Sequence, residues 1–124
     1  MHGPIYKVET KQGVTILTLT KEDIPMYENE RLNKAFSALL DEGKNNIVLD
    51  LSNAVYISSI VIASLVFMRK RAKESGGNFV ICNIGDSVKE ILATTNLDKV
   101  LDIVDDRQEA ISQLAKKCQH SQKL

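Results

Sequence analysis

Two short apolar runs constrain this chain more than anything else in it. Residues 47–51 (IVLDL) and 79–82 (FVIC) are almost unbroken hydrophobic segments of strand length. A strand that reads this way is covered on both faces. Between them, a stretch starting at Ser58-Ser59 and running to about residue 75 has apolar residues at helical spacing, and Gly76-Gly77 closes it. Strand, helix and strand in this order form a crossover between parallel neighbours. The chain therefore builds a sheet sandwiched by helices, an α/β fold.

The flanking segments extend the same pattern. Residues 5–10 alternate weakly, residues 14–20 (VTILTLT) alternate more clearly, and Gln12-Gly13 separates them, which predicts a β-hairpin. Residues 21–26 are irregular, and Pro25 excludes a central strand there. A helix is predicted over about 28–42, with Leu32, Ala35, Phe36, Leu39 and Leu40 on one side and Gly43 as its stop. A short helix follows at 87–94, capped by Asp86 or Ser87. A last strand is expected at 101–104, and a closing helix from 107 to about 117 turns Ala110, Ile111 and Leu114 inward. Residues 118–124 read as a polar tail. The order is β-β-α-β-α-β-α-β-α, a mixed β-sheet with four helices. With 124 residues the chain makes one domain, 1–124, with its core over about 5–115.

Charge and motif content narrow the function classes. Lys+Arg and Asp+Glu are 16 each, so the net charge is zero. A nucleic-acid binder normally carries a basic face, so direct nucleic-acid binding is not expected. Cys82 and Cys118 have no metal or redox spacing, and His2 and His120 sit near opposite ends, so neither a metal site nor another cofactor is expected. The apolar run at 60–68 is broken by Ser64 and is far short of the about 20 residues that span a bilayer. The N-terminus lacks a signal-peptide pattern, which makes the cytoplasm the expected location. GxGxxG, GxxxxGK[ST] and GxSxG are all missing. Asp50 ends a strand, where a carboxylate accepts from local backbone amides, and Asp105-Asp106 is placed to cap the last helix. These features describe a binding module and not an enzyme.

The helix at Ser58-Ser59 is the unusual element. Val61, Leu65, Met68 and Ala72 fall on one stripe that would pack on the sheet. Ile60, Ile62, Ala63, Val66 and Phe67 fan well outside it, whereas a surface helix normally turns polar on its far side. Either neighbouring elements cover these flanks, or part of them is an exposed patch that binds a partner. Ser58 or Ser59 is placed as the N-cap. A helix N-terminus also tolerates negative charge, so a phosphate there would sit beside the patch without disturbing the fold.

At this point the stretch IVLDLSNAVYISSIVIASL, followed by an amphipathic helix, GG, FVICN, VKEIL and LDKVLDIVDD, resembles STAS domains. The nearest likeness is to free-standing bacterial anti-sigma-factor antagonists, over about residues 5–115. In that family the turn reads apolar-Asp-Ser-Ser/Ala-Gly-Leu-Gly, and the serine after the aspartate is phosphorylated by a partner that is both serine kinase and anti-sigma factor. Here Tyr56-Ile57 match the apolar pair and Asp50-Leu51-Ser52 the strand end. Ser59 falls on the acceptor and Ser58 on the aspartate, while Ile60, Val61 and Ala63 replace the small residue and the glycines. The resemblance implies an anti-sigma-factor antagonist that binds an anti-sigma factor with serine kinase activity and releases a sigma factor, switched by phosphorylation of Ser59, with Ser58 as the second candidate. The implied partner surface is Ser58, Ser59, Ile60, Ala63 and Phe67, with Ile24, Met26 and Tyr27 from the preceding loop; weak homodimerisation is a further expectation. The alternative is a STAS scaffold or regulatory subunit of a signalling assembly or lipid-transport complex that works without phosphorylation. A third reading is a nucleotide-binding protein of flavodoxin-like architecture.

Overall fold

The computed structural model describes residues 5–122, with side chains up to Lys116. In chain order its elements are β1 (Tyr6–Lys11), β2 (Val14–Leu19), β3 (Asp23–Ile24), α1 (Asn29–Asp41), β4 (Asn46–Asp50), β5 (Tyr56–Ile57), α2 (Ser59–Glu74), β6 (Asn78–Cys82), α3 (Asp86–Thr94), β7 (Asp102–Val104) and α4 (Arg107–Gln122). Single 3-10 turns cover Met26–Glu28 and Leu97–Lys99. The main sheet has the order β1-β2-β4-β6-β7. Only β1 and β2 pair antiparallel; the other three pairings are parallel. The mixed sheet and four helices are those expected from the apolar runs.

Local chemistry explains the main turns. Gln12 and Gly13 both have positive φ, 53° and 78°. That is the two-residue hairpin turn whose twist matches the flanking strands, and the second position suits glycine because it has no Cβ. At the end of α2, Gly76 adopts φ 83° and terminates the helix. A Cβ on the next residue, Gly77, would collide with the carbonyl of Asn45, so β6 can enter beside β4 only if that position is glycine.

Alternation along the strands splits the core in two. Leu17, Leu19, Ile47, Leu49, Phe79 and Ile81 belong to the cluster that also contains the apolar stripes of α1, α2 and α3. Val14, Ile16, Val48, Val80 and Cys82 face the other way and meet Ala110, Ile111, Leu114 and Ala115 of α4. In the larger cluster Phe36 of α1 meets Phe79 of β6 edge to face, ring centroids 5.5 Å apart. Fully burying one such side chain contributes about 1.5–3 kcal/mol.

Several details differ from the sequence expectation. β3 and β5 form a separate two-stranded parallel pair that was not expected, β3 lying inside the 21–26 segment read as irregular. The first long helix begins at Asn29, with the Met26–Glu28 turn in front. The N-cap of α3 is Gly85, without a side-chain cap, and not Asp86 or Ser87. α4 continues past residue 117 to Gln122. The expected readings of His2, Cys118, His120 and the side chains of the polar tail lie outside the described residues.

Candidate functional site

The segment leading into α2 is fastened to the loop before α1. Val55 and Tyr56 both donate their backbone N–H to the Glu22 carbonyl, at 2.7 and 2.9 Å, and Ser58 N donates to Ile24 O at 3.0 Å. Within the β3–β5 pair, Ile24 lies beside Ile57 and Asp23 beside Tyr56. Period-two alternation sends Ile24 and Ile57 into the core, at 0% and 1% exposure, and leaves Tyr56 outside.

Ser58 then takes extended geometry, φ −66° and ψ 154°, and its hydroxyl oxygen accepts from Val61 N at 3.3 Å. This is an N-cap that satisfies one of the helix's unpaired amides. Ser59 follows as the first helical residue, and it is exposed. Ser59 and Ile60 line a shallow cup of about 260 Å3 with Pro25, Met26, Tyr56 and Ser58. Ile60, Met26 and Tyr27 are exposed, and Phe67, two turns further along α2, is 64% exposed. Ala63 is exposed between them.

The cup is held by a buried charge. Glu28 has a side chain only 3% exposed, with Lys21 Nζ 2.9 Å away and Arg31 at 3.4 Å. Burial alone would raise the Glu28 pKa, but the Lys21 ammonium and the Arg31 guanidinium outweigh it and hold the group below the usual glutamate range. Glu28 closes the Met26–Glu28 turn, its backbone N–H donating to Pro25 O at 3.0 Å. It thereby fixes the loop that presents Met26 and Tyr27.

Two of the residues expected on the partner surface are buried. Ile24 is fully buried because β3 alternates, which corrects its placement at the surface. Ser58 is 8% exposed with its hydroxyl committed to the cap, so it reaches the cup only as part of its wall. Ser59, Ile60, Ala63, Phe67, Met26 and Tyr27 do lie at the surface. Ile62 and Val66, part of the wide apolar arc of α2, are covered or half covered by neighbours. The exposed residues that sequence reasoning missed are Val55 and Tyr56; nothing in the run AVYI distinguishes them from buried Ile57 without the β3 pairing.

A second polar cluster lies at the C-terminal ends of the parallel strands. Asp50 Oδ1 accepts from Ser52 N at 2.9 Å and from Asn83 Nδ2 at 3.2 Å, while Oδ2 accepts from Arg107 Nε at 2.9 Å. Arg107 also donates to Glu9 at 2.7 Å and to the Thr18 hydroxyl at 2.7 Å. Burial would raise the Asp50 pKa, but the Ser52 amide, Asn83 and Arg107 stabilise the carboxylate and the net shift is downward. Burial and the nearby Asp50 charge push the Cys82 thiol up to about 12, so it stays a neutral core group. The bond to Ser52 is the local one expected of Asp50, and Asp106 caps α4 through Glu109 N at 2.8 Å. Arg107 was not anticipated, since it lies 57 residues from Asp50. Among the described residues no group of His, Cys, Asp and Glu could hold a metal ion, and no helix is long and apolar enough to cross a membrane.

The sheet order and helix order are those of a mixed α/β domain. Residues 6–110 match the model of the STAS domain, and the chain belongs to that family. It is 34% identical over 92 residues to a candidate anti-sigma factor antagonist of Thermotoga maritima, a match covering 73% of this chain and 81% of that protein. A homologue from Thermotoga neapolitana is 33% identical over 105 residues, 83% of this chain and 91% of its own. The crystal structure of a candidate anti-sigma factor antagonist from Thermotoga maritima, at 1.59 Å, superposes with a TM-score of 0.81 at 29% identity, covering 88% of this chain and 93% of that one. By homology and structure the chain stands among the anti-sigma factor antagonists.

Proposed function

We propose that the protein antagonises an anti-sigma factor with serine kinase activity. It docks that partner through the apolar surface around the start of α2, and phosphorylation of Ser59 releases the partner. The observation that carries this reading is the division of labour between the two serines. Ser58 is buried and caps the helix, while Ser59 is exposed on the rim of a cup lined by Met26, Tyr56 and Ile60. An exposed apolar cluster of this kind marks a contact surface. A phosphate on Ser59 would carry about −1.5 to −2 charge. The free amides at the start of α2 favour that charge, so the fold tolerates it. A docked apolar partner does not, because it would have to desolvate it.

Incubation with the kinase partner and ATP, followed by mass mapping, is expected to place one phosphate on Ser59 and none on Ser58. Ser59→Glu should weaken partner binding at least tenfold with an unchanged thermal midpoint. Ile60→Glu should do the same without any phosphate chemistry. If Ile60→Glu unfolds the protein or leaves binding intact, the docking surface lies elsewhere. One observation favours scaffolding without phosphorylation: the half-exposed Ile60 side chain stands directly beside Ser59 and crowds a kinase's approach. An unmodified Ser59 combined with a binding defect in Ile60→Glu would select that reading.

A further inference from the structure

β1 is an edge strand with β2 as its one neighbour in the sheet order, and its residues from Lys7 to Lys11 are all exposed. A groove adjoins each of its ends. One, about 690 Å3, lies against α4 and is lined by Lys11, Arg107, Ile111 and Lys116 among others. The other, about 470 Å3, lies against α1 and is lined by Ile5, Tyr6, Ala35 and Ala38 with Arg31 and Lys34 at its rim.

The ladder fixes which backbone groups face outward. Thr20 N donates to Ile5 O at 2.8 Å, and β1 pairs with β2 in the register Tyr6↔Leu19 to Lys11↔Val14. In an antiparallel pair, alternate residues exchange both hydrogen bonds with the partner strand. Residues 5, 7, 9 and 11 therefore turn their N–H and C=O toward β2, and Tyr6, Val8 and Thr10 turn theirs out from the edge. A second antiparallel strand can bond only to those three. Side chains alternate as well, so Lys7, Glu9 and Lys11 share the α4 side, where Glu9 meets Arg107 at 2.7 Å.

We propose that two copies of the protein associate through β1, antiparallel, about a twofold axis at Val8. Three registers that use the outward groups can be compared. With Val8 opposite its own copy, Lys7 faces Glu9 of the second chain twice, and the Tyr6–Thr10 and Val8–Val8 pairs are the hydrogen-bonded ones. Slipping by one residue per chain one way puts Glu9 opposite Glu9 and Lys7 opposite Lys11. The other way puts Lys7 opposite Lys7. Directly opposed like charges destabilise a strand pair and opposite charges stabilise it, so of these three the sequence KVETK favours the Val8 register. A register about Thr10 also opposes Glu9 to Lys11, but it sets Val8 against Gln12 of the turn and keeps a shorter ladder. With Val8 on the axis, its half-exposed side chain is covered by its copy. One paired edge buries little area, so the dimer is weak and concentration-dependent. It uses none of the residues around Ser59 and stands or falls independently of the docking proposal.

Sedimentation velocity of the full chain over the micromolar-to-millimolar range is expected to show reversible monomer–dimer association. Val8→Pro removes a donor that points away from β2, so the intramolecular ladder survives. It should weaken association at least tenfold at unchanged circular dichroism. Lys7→Glu and Glu9→Lys should each weaken self-association. Mixed together, they should restore it, because every cross-strand charge pair becomes favourable. A chain that stays monomeric throughout, or a folded Val8→Pro variant that associates as well as the parent, overturns the proposal. Should Val8→Pro not fold, the two charge variants and their mixture decide alone. A mixture that does not recover overturns the register.

Discussion

On one face of the sheet Leu17, Leu19, Ile47, Leu49, Phe79 and Ile81 meet three helices; on the other Val14, Ile16, Val48, Val80 and Cys82 meet α4 alone. The first face is held by non-directional burial, spread over α1, α2 and α3. The second has a smaller apolar contact and adds a directional bracket, in which Arg107 at the start of α4 grips Asp50, Thr18 and Glu9. The difference teaches why the proposed docking surface falls on the first face. Burial saturates once neighbours cover a helix, and α2 carries more apolar residues than its neighbours cover. Ile60, Ala63 and Phe67 are left outside. On the second face Ala110, Ile111, Leu114 and Ala115 of the single helix pack on the sheet, and the hydrogen bonds of Arg107 tie its start to the strands.

The contrast can be broken at its strongest point first. Phe36→Ala empties a fully buried site on the three-helix face, and should lower unfolding free energy by about 3–5 kcal/mol, read from denaturant melts. Arg107→Met should cost less, about 2 kcal/mol, because it strips the nearly buried Asp50 of its charged partner. Adding Asp50→Asn to Arg107→Met should recover part of that loss, since the stranded carboxylate is gone; a strictly additive double variant would mean that no bracket exists.

Acid should act on the polar fastenings and spare the apolar ones. Glu28 and Asp50 both have folded pKa values below their ordinary ones. Their stabilisation is therefore complete above the unfolded values, about 3.9 for Asp and 4.3 for Glu. It is lost as pH falls through the lower folded values. The denaturant midpoint should stay level from about pH 6 down to pH 5 and drop below about pH 4, with a shallower drop in Glu28→Gln and Asp50→Asn. The smallest stability effect belongs to the exposed end of α2. Ile60→Glu should change unfolding free energy by no more than about 0.5 kcal/mol, even though it is expected to disable docking.

Much of the architecture was legible because it repeats along the chain. Alternation around Gln12-Gly13 marked the hairpin, and the runs at 47–51 and 79–82 marked central parallel strands. The β3–β5 pair was not legible. Two residues per strand are too few to show a period, and Pro25 signals irregular chain. The site divided in the same way. The excess of apolar residues on α2 was visible as a fan wider than one stripe. Which of Ser58 and Ser59 caps the helix depends on the extended backbone of Ser58, which no spacing encodes. Ile24 was misjudged as surface because its inward direction comes only from pairing with Ile57. The Arg107–Asp50 contact joins residues brought together by the ends of two strands and the return of α4, and local sequence carries no trace of it.

By itself, then, the sequence of this STAS-domain protein determined the direction and order of its main elements and the presence of too many apolar residues at the start of α2. Those follow from periodicity, which is a local property of a helix or strand. The tertiary structure alone decided which of those apolar residues are covered, which serine is free, and which carboxylate meets Arg107. Exposure and pairing depend on what lies across from a residue, and that is settled only when distant segments pack.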